Sequence, residues 1–101
     1  MTSKQRAALR AQANHLNAVF QVGKDGISEA VARQMLEAFH TRELLKGKVL
    51  RETSPVTPRQ AAEALAEMTD SQVVQVIGGS MVFYKENLEL QKKLADKRKS
   101  K

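Results

Sequence analysis

The sequence contains no cysteine and no tryptophan, only four aromatic residues and only two prolines. Without cysteine there are no disulfides, no thiolate chemistry and no cysteine-based zinc site, so a reducing cytosol is the expected compartment. With so few aromatic rings, aliphatic side chains and alanine must fill the core. No apolar run approaches the ~18–20 residues needed to cross a bilayer. The longest, near Gln72 to Tyr84, is interrupted by Gly78 and Gly79. Lys4, Arg6 and Arg10 break up the start of the chain, so no secretory signal is expected there.

What is present is one domain's worth of chain, 101 residues, with 42% hydrophobic composition and a net charge of +6. Residues 86–101 carry six basic residues against three acidic ones, a net +3, and the remainder carries the other +3. A basic body with a basic tail suits a polyanionic partner: RNA, DNA or acidic lipid.

Periodicity divides the chain into alternating elements. Ser3 is expected to cap a first helix that ends near Asn14 or His15, with Leu9, Ala13 and Leu16 along one side and Lys4, Arg6 and Arg10 in solvent. Residues 18–22 read as a short buried strand. Ser28 caps a second helix in which Val31, Met35 and Phe39 recur every fourth residue. Residues 44–50 alternate, Leu45, Gly47 and Val49 on one face and Lys46 and Lys48 on the other. Thr57, Pro58 and Gln60 open a third helix with a capping box, directing Ala61, Leu65 and Met68 inward. Residues 72–77 and 80–85 form a hairpin about Gly78-Gly79. The tail has enough leucine (Leu88, Leu90, Leu94) for a weak helical extension, followed by a disordered lysine-rich end.

The expected architecture is therefore α/β, an α+β two-layer domain over residues 1–86 in the order α-β-α-β-α-β-β. Three helices cover a four-stranded mixed sheet, and a basic tail, partly helical or disordered, follows over 87–101.

The most informative feature is the corner where a strand meets a helix, Gly23-Lys24-Asp25-Gly26. Glycines at both ends allow a sharp turn and close approach to a ligand, and a helix N-terminus offers unsatisfied amides with a partial positive charge. A bare GxxG also serves as a simple turn, so both readings stand on the residues alone. The site proposed is a phosphate track from Gly23, Lys24, Asp25 and Gly26 through Lys46 and Lys48, extended by Arg33 or Arg42. No metal, cofactor or catalytic constellation is expected. His15 and His40 lack ligand-spaced partners, and Ser28 is better explained as a cap than as a nucleophile.

Several separated segments together resemble a known family. These are the run from His15 to Gly26 (HLNAVFQVGKDG), Arg42-Glu43-Leu44-Leu45-Lys46, Val74-Gln75-Val76-Ile77-Gly78 and the closing Val82-Phe83-Tyr84-Lys85. In order and spacing, over about residues 2 to 86, they resemble the bacterial YhbY proteins, which are stand-alone CRM domains.

The resemblance implies a fold like the C-terminal domain of translation initiation factor three. It also implies an RNA-binding protein that uses its GxxG loop on precursors of the large (50S) ribosomal subunit. A cytoplasmic, non-enzymatic protein is expected from the missing cysteines and catalytic constellation, with a monomer favoured. Lys85 stands where the family usually has Arg and joins the RNA-binding set on that basis. Asp25 departs from the family's neutral or basic loop residue. Gly47 replaces a usual β-branched residue, which should weaken its strand. The rival reading is a protein adaptor docking through the sheet or its hairpin edge.

Overall fold

In the computed structural model, which describes residues 1–99, the elements follow as α1 (Ser3–Ala13), β1 (Phe20–Val22), α2 (Glu29–Ala38), β2 (Leu44–Val49), α3 (Pro58–Thr69), β3 (Gln72–Ile77), β4 (Ser80–Tyr84) and α4 (Leu88–Lys99). The helix count is four rather than three, because the tail's leucine-containing segment forms α4 through Lys99. Ser100 and Lys101, part of the expected disordered end, lie outside the described residues. Among the described residues no helix is long and apolar enough to cross a membrane.

The strands lie in the order β1-β2-β4-β3. β1 is parallel to β2, and β4 is antiparallel to both β2 and β3, giving the mixed sheet the element order implied. One sheet face carries Phe20, Val22, Leu45, Val49, Met81 and Phe83 and packs against Met35, Phe39, Ala61 and Leu65 of α2 and α3 and the end of α2. Fully burying a side chain the size of Leu65 or Met35 stabilises by ~1.5–3 kcal/mol, and both have no exposed surface.

The expected two-layer arrangement gains a third layer. Val74 and Val82 are buried on the reverse face, with Leu44 and Tyr84 beside them, and α1 covers them with Ala13, Leu9 and Leu16. An apolar reverse face must be covered, and α1 supplies the cover.

Caps fall where the side chains allow them. Thr57 and Gln60 form the capping box of α3, and Ser28 caps α2. α1 is capped by Thr2, not Ser3, because Gln5 sits three residues beyond Thr2 and completes the box. Met68, expected inward, is 44% exposed, and Thr69 is buried in its place, its hydroxyl donating to the Leu65 carbonyl. Gly47 does not leave a gap. A side chain there would collide with the ring of Phe20, its register partner on β1, so the ring occupies the space a branched residue would fill.

Arg6 is also not free in solvent. Its guanidinium donates to the carbonyls of Val73 and Val74 at 2.9 and 2.8 Å. The register slips between Val73 and Gln75, so consecutive carbonyls at this bulge are available to one donor group.

Candidate nucleic-acid interface

Because β1 and β2 are parallel, with Val22 opposite Val49, both strands deliver their following loops to the same end of the sheet. The amide of Leu50 donates to the Val22 carbonyl and ties the two exits together. The β1 exit is the 23–26 turn, closed by the Gly26 amide donating to the Gly23 carbonyl at 3.0 Å. Lys24 and Asp25 are exposed at its tip.

The two glycines have different reasons to be there. Gly26 has φ of +66°, and a Cβ on it would stand 2.9 Å from Pro55 Cγ, so backbone conformation and packing both require glycine. Gly23 is under no such demand, since a Cβ would make only ordinary contact with Leu50 at 3.7 Å. Bare backbone at Gly23 leaves room for close approach.

The helix that follows contributes less positive potential than its position suggests. Ser28 Oγ already accepts from the Val31 amide, and Glu29 places a carboxylate in the first turn of α2. A helix dipole worth ~0.3–1 kcal/mol is therefore partly answered from within the chain. Lys24 and the turn backbone are left as the main attractions for an anion.

The reverse face of the sheet adds a second component beside this turn. Strand registers align Gln21, Lys48, Ser80 and Ile77 in one row across all four strands, and Lys46, Val82 and Gln75 in the next. Lys48 and Gln21 are exposed, Lys46 is half-buried, and neither row contains an acidic residue. α1 covers the opposite half of this face, around Leu44 and Tyr84, and leaves the row nearest the turn open. Alternation along β2 thus places Lys46 and Lys48 away from the main core, as the sequence pattern indicates.

Arg51, which sequence reasoning passed over, belongs to the same end. It follows β2 directly, its side chain lies against Gly79 of the hairpin turn, and with Lys48, Thr53 and Ser80 it borders a shallow depression. Parallel pairing of β1 with β2 would have pointed to it, but strand order is not legible in residue spacing. Arg59, in the first turn of α3, is exposed at the entry to that helix.

Other members of the expected track stand elsewhere. Arg33 is exposed within α2. Arg42 precedes β2, so at ~3.3 Å per residue it lies on the order of 20 Å from the exit of that strand. Lys85 follows β4 at that same far end, and its Nζ donates to the Thr69 carbonyl at the end of α3, 2.8 Å away. The structure therefore brings Lys24, Lys48 and the glycine turn to one end and separates Arg42 and Lys85 from them.

Aromatic stacking is not available to a ligand on these rows. Phe20, Phe39 and Phe83 are buried, and Tyr84, the only tyrosine, is half-buried beside α1. Burial, reinforced by the carboxylates of Glu43 and Glu86, raises the Tyr84 phenol above its ordinary value. Among the described residues no group of His, Asp and Glu side chains could hold a metal ion.

The chain is similar to several proteins named as RNA-binding. The chain is 43% identical over 89 residues to the Bacillus subtilis protein named "Probable RNA-binding protein YqeI", covering 88% of this chain and 92% of that one. A Haemophilus influenzae protein named "RNA-binding protein" is 33% identical over 92 residues, covering 88% and 89%. The solution structure of the Staphylococcus aureus protein SAV1595, described as "a putative RNA binding protein", superposes with a TM-score of 0.71 at 38% identity over 86% of this chain and 90% of the other. The model of the CRS1 / YhbY (CRM) domain matches residues 1–85, and this chain belongs to that family.

Proposed function

We propose that this protein binds RNA through its phosphate backbone, using the 23–26 turn and the adjoining lysine row, and that its target is ribosomal RNA in precursors of the large ribosomal subunit. The observation that carries the reading is the placement of exposed Lys24 and Lys48 around bare glycine backbone at one end of the sheet. Phosphates are met there by exposed cations and by a turn whose entry residue has no side chain. Naming of the relatives as RNA-binding supports RNA as the polyanion. The ribosomal target rests on the family resemblance, the cytoplasmic location on the absence of cysteine, and the activity requires no catalytic step.

A sheet lacking exposed aromatic rings suits recognition of backbone and shape over the stacking of splayed bases. The rival adaptor reading through the β3 edge meets a specific obstacle, since Arg6 already occupies two carbonyls of that strand. Strand addition there would have to displace it.

The test is a titration of a labelled ribosomal RNA fragment at several salt concentrations. Each phosphate contact contributes to the slope of affinity against salt. Lys24→Ala with Lys48→Ala should weaken binding about tenfold and flatten that slope by roughly 1 to 2, while circular dichroism stays unchanged. Unaltered affinity in the folded double variant would reject the site. Crosslinking in cells with sequencing of the bound RNA identifies the target.

A further inference from the structure

The helix α4 lies outside the family match and does not serve the core. Its side chains from Gln91 to Asp96 are all exposed, and Leu88 and Leu94 are 69% and 51% exposed. A helix of 12 residues is marginal by itself in water, and one that buries so little gains little from tertiary packing.

Its root is nevertheless tied to the body by a set of directed bonds. Asn87 caps it, its Oδ1 accepting from the Leu90 amide at 2.9 Å. Asn87 Nδ2 donates to the Phe39 carbonyl at the end of α2. Glu43 Oε2 accepts from both the Asn87 amide and Gln91 Nε2, at 2.8 and 2.7 Å. Glu43 immediately precedes β2, and its carbonyl accepts from the Lys85 amide. These bonds fix the direction in which α4 leaves the domain.

What they hold out is positive charge. Beyond the acidic root residues Glu86 and Glu89, α4 carries Lys92, Lys93, Lys97, Arg98 and Lys99 against Asp96. The helix is ~18 Å long, and the molecule is drawn out to 50 Å along its longest axis against 28 and 21 Å across.

We infer that α4 is a positioned basic arm that grips RNA phosphates at the end of the sheet opposite the 23–26 turn, so that the protein selects RNA double helices long enough to reach both ends. The inference rests on the RNA-binding reading above. It also gives the separation of Arg42 from Lys24 a meaning, since the two belong to different contacts. A duplex advances on the order of 3 Å per base pair, so 50 Å corresponds to about 16 base pairs, a span typical of shape-reading domains.

The experiment uses the full chain and two RNA hairpins, one with a stem about half, the other slightly above, the ~16 base pairs of a shape-reading span. The wild type should prefer the longer stem by about tenfold. Lys92→Gln with Lys93→Gln, both exposed, should remove most of that preference and reduce the salt slope by about 1 to 2 on the long stem only. Asn87→Ala keeps every charge but loosens the root, and it should also lose the preference. Lys24→Ala should weaken both hairpins alike.

A long-stem preference that survives the lysine changes overturns the arm. A preference that survives Asn87→Ala in full makes the tail an unpositioned polycation and overturns it equally. Equal binding of both stems by the wild type removes the arm but leaves the turn as the RNA site, whereas failure to bind either stem removes both. Should Asn87→Ala fail to fold, the lysine pair decides, because neither side chain is packed.

Discussion

Phe20 lays its ring across the backbone of Gly47, its partner on the neighbouring parallel strand, and also meets the ring of Phe83 at a centroid separation of 6.0 Å. The glycine and the aromatic ring form one packing unit, in which the absent side chain makes room for the ring. Gly47→Val should therefore destabilise the protein by ~1–3 kcal/mol through overpacking, even though valine is the better strand residue. Urea denaturation measures this, and pairing Gly47→Val with Phe20→Leu should recover part of the loss. A stabilised single variant would contradict the packing.

The two glycines of the loop should separate in the same assay. Gly26→Ala forces a side chain into a left-handed conformation against Pro55 and should cost ~1–2 kcal/mol. Gly23→Ala should leave the melting temperature near that of the wild type. Changes at Gly26 thus mix folding with binding, and Lys24 is the cleaner probe of RNA contact.

Local signals in the sequence were sufficient for what depends on near neighbours. The Thr57 capping box, the Ser28 cap, the alternation of β2 and the hairpin turn at Gly78 all involve residues within a few positions of one another. The facts that were not legible depend on strand order and on distant partners. Lys85 aligns with basic family positions, yet its ammonium finds the end of α3. Arg6 appears on a solvent-facing stripe of α1, yet reaches a bulge in β3. Arg42 and Lys48 belong to one basic stretch in the sequence, but β2 carries them to opposite ends of the sheet. Asn87 gave no signal because the groups that make it an anchor, Glu43 and the Phe39 carbonyl, come from more than forty positions earlier.

Lys85 provides a direct discrimination between support and binding. Its Nζ holds the Thr69 carbonyl, a charge-assisted bond worth ~1.5–3 kcal/mol. Lys85→Met should lower stability by about that amount and leave the affinity of the folded protein for the short hairpin unchanged. A loss of short-hairpin affinity without a loss of stability would return Lys85 to the RNA site.

Arg6→Ala removes two bonds from the edge strand and uncovers its carbonyls. Stability should fall by ~1.5–3 kcal/mol, and the freed edge should pair with another copy, since unpaired strand edges recruit strands. Sedimentation of the variant as a function of concentration should reveal stronger association than that of the wild type. A variant that associates no more than the wild type would mean that the bulge at Val74 is sufficient to protect the edge.

Tyr84 offers a pH measurement free of overlap, because the chain has no other tyrosine and no tryptophan. Its phenol is raised above the ordinary value of 10.0, first by burial and then by the carboxylates of Glu43 and Glu86. A raised folded value means that the fold favours the neutral phenol. The associated stability is present below pH 10.0 and is lost as pH rises through the folded value. Phenolate absorbance should therefore show a midpoint above that of the urea-unfolded chain. Glu43→Gln should lower the midpoint without bringing it fully to the unfolded position, since burial remains. The same substitution removes the anionic acceptor at the root of α4, so it should also weaken binding to the long RNA stem. A midpoint equal in folded and unfolded chains would show that neither α1 nor the two carboxylates hold the phenol as described.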